Sequence, residues 1–228
     1  MLSVIVPCYN EERNLPLLAE RFSKALKGIS AELVLVNNGS TDDSQLVIGR
    51  LMKKYSFVKC VRIKKNIGYG HGIIMGLKHA RGRVLAYTHA DMQCDPFDVR
   101  KAYQIFQQSK SSKVLVKGNR KGRFSILTAG FHTLAALLFL KKYDDVNGQP
   151  KLFHRDLMKT FRQPPLGFQL DFYVQHKALD SGCAIVSFPV KFGVRKYGYS
   201  KWAATLPSKA RNISRFLGYM IKIRIFGK

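Results

Sequence analysis

One pattern recurs four times before residue 97 and constrains the fold more than anything else in the chain: a short apolar run that stops at a polar cluster. Leu2–Val6 runs into Pro7-Cys8-Tyr9-Asn10-Glu11-Glu12, and Glu32–Val36 into Asn37-Asn38-Gly39-Ser40-Thr41-Asp42. Val58–Ile63 runs into Lys64-Lys65-Asn66-Ile67-Gly68-Tyr69-Gly70-His71-Gly72, and Val84–Thr88 into His89-Ala90-Asp91-Met92-Gln93-Cys94-Asp95-Pro96. Each apolar run reads as a buried strand, and Lys113–Lys117 is a fifth. The segments between them have helical spacing: Glu11–Lys27, Asp42–Tyr55 behind the capping residues Ser40-Thr41-Asp42, Tyr69–Ala80 and Pro96–Gln108. Strands alternating with helices predict an α/β fold with a mostly parallel central sheet flanked by helices. In such sheets ligands bind beyond the carboxyl ends of the strands, and the four clusters fall there. Alone, Asn-Gly-Ser is an ordinary turn and Gly68-x-Gly70-x-Gly72 a weak phosphate loop. Four in strand order point to nucleotide binding.

Charge narrows the partners. Thirty-nine Lys and Arg against fourteen Asp and Glu give a formal net charge of +25, well beyond the usual magnitude of roughly 2–8 for a small domain. Such a field draws nucleic acid, anionic lipid or phosphorylated substrates. At 46% hydrophobic and 23% charged, the composition is that of a globular chain, which excludes disordered, collagenous and coiled-coil classes. Cys8, Cys60, Cys94 and Cys183 form no C-x-x-C pair, and the start carries no secretory signal, so we expect free thiols in a reducing, cytoplasmic setting. No run reaches the roughly 20 apolar residues of a membrane span. The nearest, Phe124–Leu140, is uncharged but contains Ser125, Thr128, His132 and Thr133; it reads as a buried helix or an interfacial one.

The clusters, in order, resemble the family-2 glycosyltransferases of the GT-A fold, particularly the polyprenyl-phosphate sugar synthases. The matching pieces are Val6-Pro7-x-Tyr9-Asn10-Glu11, Val36-Asn37-Asn38-Gly39-Ser40-x-Asp42, Asn66-x-Gly68-Tyr69-Gly70 and Asp91-x-Gln93-x-Asp95-Pro96. They continue through Asn147-Gly148-Gln149-Pro150-Lys151-Leu152-Phe153, the strand ending Phe188-Pro189-Val190, and Arg195-x-x-Gly198-x-Ser200-Lys201. The likeness covers residues 1–202 and leaves 203–228 as a C-terminal amphipathic helix. It implies inverting transfer of a sugar from a nucleotide-diphospho-sugar to a polyprenyl phosphate or to a saccharide hydroxyl.

The resemblance also implies roles. Pro7, Tyr9, Glu11, Asn38, Asn66 and Gly70 would hold the nucleoside, with the glycines letting the backbone approach it. Asn38 stands where the family has an Asp, and an amide presents donors as well as acceptors. A divalent ion, Mn²⁺ or Mg²⁺, would sit on Asp91 and Gln93; His89 replaces the family's first Asp and suits Mn²⁺ better than Mg²⁺. Alternatively His89 bonds only ribose or a neighbouring loop. Arg195, Ser200 and Lys201 would close over the diphosphate and neutralise the leaving group. Arg120 and Arg123 would grip an acceptor phosphate. Asp171 would serve as general base for a hydroxyl acceptor, whereas a lipid phosphate is already ionised and would leave it a positioning role.

After Asp180 the chain has ten Lys or Arg and no carboxylate. In the helix predicted over 210–226, Ile213, Phe216, Leu217 and Met220 share one face and Arg211, Arg215 and Lys222 the other, the pattern of a helix lying in an anionic membrane interface. The bland alternative packs that apolar face on the domain. Two rivals remain at this level. A nucleic-acid binder would explain the charge, but no nucleic-acid motif accompanies it and the strand-end clusters would be idle. A non-catalytic nucleotide-binding module would explain Asn37, Asn38 and His89 standing where relatives carry acids.

Overall fold

The structure, a computed structural model, describes residues 1–120, 126–197 and 206–226. The alternating runs become β1 (Leu2–Cys8), α1 (Leu15–Ala25), β2 (Ala31–Asn38), α2 (Ser44–Lys54), β3 (Val58–Ile63), α3 (Tyr69–His79), β4 (Val84–Tyr87), α4 (Pro96–Gln108) and β5 (Val114–Arg120). Then follow α5 (Ile126–Phe139), β6 (Lys151–His154), α6 (Leu170–Asp180), β7 (Ala184–Val190) and α7 (Leu206–Phe226). The seven strands form one sheet in the order β3-β2-β1-β4-β6-β5-β7. Every pairing is parallel except those of β6, which runs antiparallel to both β4 and β5. The sequence reading assigned no strand at β6, whose four residues are too few to show a period.

Strand residues alternate between two cores. Leu2, Val4 and Val6 meet Leu15, Leu18 and Phe22 of α1 with Val99 and Ala102 of α4, while Ile5 meets Ile73 and Leu77 of α3 on the other face. Helix α1 starts at Leu15 rather than at Glu11. The amide of Glu11 donates to Ser44 Oγ at 2.9 Å, so the β1 loop is bound to the β2 loop before the helix can begin.

The predicted C-terminal helix forms and starts at Leu206, but its surroundings correct one expectation. Phe216, Met220 and Ile223 are buried in the same core as Phe172, Tyr173 and Val174 of α6. Two of the four residues expected to lie in a membrane, Phe216 and Met220, are therefore packed on the domain. Burying aromatic and aliphatic side chains against α6 is worth about 1.5–3 kcal/mol each, which a detached helix would forgo.

An imidazole joins α6 to the segment that follows α5. The Tyr143 hydroxyl and His176 Nδ1 lie 2.7 Å apart, and His176 Nε2 lies 3.2 Å from Asp180 Oδ2. Rings of Phe139 and Phe172 flank it. Burial pushes the His176 imidazole down to about 4, and Lys141 and Lys177 add to that; the Asp180 carboxylate opposes it and loses. Unfolded His binds its proton below an ordinary value of 6.5, while folded His176 stays neutral to about 4. This residue's contribution to stability is therefore complete above 6.5 and is lost as pH falls through that window. Urea titrations from pH 7 to 4 are expected to show that loss, and His176→Gln to reduce it.

Candidate active site

The carboxyl ends of β1, β2 and β4 converge, and their loops are tied to one another. Asn10 Nδ2 donates to Thr41 Oγ1 at 3.1 Å, and the Thr41 amide donates to Asn10 Oδ1 at 2.9 Å. Asn37 is spent on this scaffold: its Oδ1 takes the Ser40 amide at 2.9 Å and its Nδ2 donates to Gln45 Oε1 at 2.6 Å. Pro7 and Tyr9 are half-buried at the end of β1.

Asn38 is buried, and its Nδ2 donates to Asn66 Oδ1 at 3.3 Å and to the Gly68 carbonyl at 3.0 Å. Its Oδ1 is buried and has no hydrogen-bond partner among the described residues. The local bonds consume the donors that distinguish the amide from the family's Asp, and leave an acceptor. Glu11 accepts from Asn14 Nδ2 at 2.6 Å. Burial raises its carboxyl above the usual range and Asp91 adds to that, against the Asn14 hydrogen bond and the Arg195 charge. Glu11 thus feels both partners of the ion pair described next.

Asp91 and Arg195 meet although 104 residues separate them. Arg195 Nη2 donates to Asp91 Oδ2 at 2.7 Å, and the Gln93 amide donates to Asp91 Oδ1 at 3.1 Å. Two more bonds strap the loops together: Gln93 Nε2 to the Gly193 carbonyl at 3.0 Å and the Gly193 amide to the Gln93 carbonyl at 2.8 Å. His89 lies beside the Tyr69 ring, 5.6 Å between centroids. Burial holds its imidazole below the usual range despite the nearby carboxylates of Asp91 and Asp171, so it is a neutral donor of a lone pair.

Among the described residues no three His, Cys, Asp or Glu gather into a metal-holding group. One carboxylate, one amide oxygen and one neutral imidazole nonetheless suit a hard divalent ion that takes its remaining ligands from substrate phosphates. The guanidinium on Asp91 shows that this position accepts positive charge.

Three expected roles change. Gly70 was expected to admit a nucleotide. Instead a Cβ there would lie 2.5 Å from the Pro165 carbonyl oxygen and 2.6 Å from that of Gly167, so the missing side chain admits the 165–167 loop. The His71 amide donates to the Leu166 carbonyl at 3.0 Å across the same contact. Arg120 was expected to face an acceptor phosphate, but its guanidinium holds Asp145, with Nη2 at 2.6 Å and Nε at 3.0 and 3.1 Å. Asp171 was expected to be a base. Its Oδ1 takes Lys151 Nζ at 2.6 Å, Gln149 Nε2 at 2.8 Å and the Tyr87 hydroxyl at 3.0 Å, and its side chain is 4% exposed. That oxygen is committed to three donors. Arg123, Ser200 and Lys201 lie outside the described residues.

The sequence reading places Gln149 and Lys151 in a motif and Lys117 at a strand end, but gives none of them a role. Lys151 and Lys117 are opposite one another on β6 and β5, both fully buried, and Lys117 Nζ lies 3.1 Å from Asp144 Oδ1. The signal was available: a lysine inside or at the end of an apolar strand must find a carboxylate.

The sequence profile of Glycosyl transferase family 2 matches residues 3–166. The chain belongs to that family. It is 27% identical over 231 residues to dolichol-phosphate mannosyltransferase of Pyrococcus furiosus, covering 97% of this chain and 63% of that protein. It is 28% identical over 123 residues to an undecaprenyl-phosphate 4-deoxy-4-formamido-L-arabinose transferase of Yersinia enterocolitica, covering 53% of this chain and 38% of that one. The chain thus spans less than two thirds of the length of either relative. Its fold is similar to glucosyl-3-phosphoglycerate synthase from Mycobacterium tuberculosis, solved with Mn²⁺, UDP and phosphoglyceric acid: TM-score 0.74, 19% identity, 98% of this chain and 78% of that one. The α/β fold expected from the strand-end clusters is accordingly the GT-A fold of the family.

Removing one partner of the buried pair should be costly. Asp171→Asn leaves Lys151 charged and uncompensated, and urea denaturation is expected to show a loss of about 3–5 kcal/mol. Lys151→Met combined with Asp171→Leu is expected to recover part of it.

Proposed function

We propose that the chain transfers a sugar, with inversion, from a nucleotide-diphospho-sugar to a polyprenyl phosphate at the cytoplasmic face of an anionic membrane. The contact between Asp91 and Arg195 carries this reading. It joins the loop after β4 to the loop after β7 at the carboxyl edge of the sheet, where a leaving diphosphate would need both a cation and a guanidinium.

The nucleoside would lie over the ends of β1 and β2, with Pro7, Tyr9 and Glu11 on one side and Asn38 and Asn66 on the other. Asn38 Oδ1 would accept an N–H from the base edge. A divalent ion would be held by Asp91 with Gln93 and His89, and would supply neutralisation of the diphosphate. Arg195 would exchange the Asp91 carboxylate for phosphate oxygens, a change of anion for a group that stays charged throughout. Ser200 and Lys201 would also neutralise the leaving diphosphate, as the motif implies.

The anchoring of Asp171 supports a phosphate acceptor over a hydroxyl acceptor. A hydroxyl must give up a proton, and one oxygen of the carboxylate assigned to receive it is already engaged by three donors. An ionised lipid phosphate needs no base. The relatives' names point to the same acceptor class. Four free cysteines suit a reducing compartment. Among the described residues no helix is long and apolar enough to cross a membrane.

Calorimetry with UDP, GDP and their sugars, each with Mn²⁺, Mg²⁺ or chelator, tests the donor. Binding selective for one base, lost with chelator and lost in Asp91→Ala, is expected; no binding of any nucleotide under any condition would overturn the reading. Transfer of radiolabelled sugar from that donor to polyprenyl phosphate tests the acceptor, and transfer to a saccharide hydroxyl alone would overturn that half.

A further inference from the structure

We propose that the outer flanks of α5 and α7 form a bilayer-docking surface for anionic lipid. This rests on the membrane placement in the proposed function and goes further, because the apolar residues that the structure leaves for the task differ from those that the helical pattern suggested. In α7 one apolar row, Phe216, Met220 and Ile223, is buried against α6. A second row at four-residue spacing, Ile213, Leu217, Ile221 and Ile225, has no such role. Ile213 is 37% exposed, Ile221 51% and Ile225 66%. A helix that packs on a domain needs one apolar stripe, and a second calls for a second apolar environment.

Helix α5 repeats the feature. It buries Ala135 and presents Leu134, Leu137 and, just past its end, Leu140, which are 37%, 70% and 86% exposed. The two helices pack against each other. Where the C-terminal ends of α5 and α7 meet α6, a cleft of about 310 Å³ is lined by Phe139, Lys141, His176, Lys177, Asp180, Ile223 and Arg224. Three cations and one carboxylate leave it positive.

Charge chooses the occupant. Neither α5 nor α7 contains a carboxylate, and Lys141, Lys142, Arg215, Lys222 and Arg224 border the leucine and isoleucine rows. A protein partner could match the apolar rows, but an anionic sheet matches them together with a predominantly positive border, in which Lys141 is paired with Asp180. Shallow insertion of apolar side chains, ringed by cations that reach lipid phosphates, is how such surfaces hold a bilayer.

The test is sedimentation of the full chain with phosphatidylcholine vesicles, with and without phosphatidylglycerol. Tight binding only to the anionic vesicles is expected. Leu137→Gln with Leu140→Gln, and separately Ile221→Gln with Ile225→Gln, are expected to weaken it by on the order of tenfold or more. Leu46→Gln with Met52→Gln, exposed apolar positions on α2, are expected to leave it unchanged. In Leu137→Trp, brominated lipid is expected to quench fluorescence beyond the wild-type level. Equal binding by all variants would mean that charge alone holds the chain, and would overturn the proposal. So would equal binding to neutral vesicles, no vesicle binding, or a dimer in vesicle-free buffer that the Leu137 and Leu140 substitutions split. Nucleotide binding measured on the same samples keeps the outcomes separate: its loss in the wild type would count against the proposed function, whereas its retention with vesicle binding lost would count only against this surface.

Discussion

A single buried carboxylate holds the catalytic half of the fold together. Asp171 opens α6, and onto one oxygen it gathers Tyr87 from β4, Gln149 from the segment ahead of β6, and Lys151 from β6 itself. Gln149 Nε2 also lies 3.3 Å from the Tyr69 hydroxyl, and the Tyr69 ring packs on His89. An apolar replacement could be as stable, since burying two charges costs several kcal/mol that their attraction barely returns. What a hydrogen-bonded pair supplies and a greasy contact does not is direction. Each donor must point at one atom, and the strand that ends two residues before His89 is thereby held in register with the helix behind it.

The electrostatics of the site follow from where carboxylates are few. The chain carries a large positive excess, yet Asp91 is near enough to Glu11 at the sheet edge to help raise its carboxyl. The Arg195 charge offsets that crowding. In the proposed function a bound divalent ion would relieve the same crowding while phosphate oxygens take over the guanidinium. The strap between Gln93 and Gly193 keeps the two loops together.

Much of this was legible in the sequence. The period of apolar runs set the parallel strands, and their polar ends set the edge where ligands bind. Asp91 and Arg195, which the resemblance assigns to the metal and to the diphosphate, lie in contact. The missed parts share a cause: they depend on which face a residue turns toward, and short elements do not reveal it. Four residues of β6 carry no period. Asp171 read as a general base or a positioning acid because its three partners are distant in sequence. In α7 the apolar positions form two stripes, and a helical wheel cannot say which one the domain takes. Asn38 is the opposite case, where the residue type suggested a new specificity and local hydrogen bonds cancel most of the difference.

The meeting of Gly68 and Gly70 with the 165–167 loop bears on how the family can vary. A Cβ at Gly68 would lie 2.1 Å from the Leu166 carbonyl oxygen, as tight a conflict as at Gly70. Two stretches far apart in the chain therefore behave as one position under mutation. A relative that acquires a side chain at either glycine must also have shortened or rerouted the later loop, and one with a different later loop is released from needing glycine. Across an alignment the two stretches should drift in concert, and their joint changes would mark where the wall of this pocket has been rebuilt during divergence.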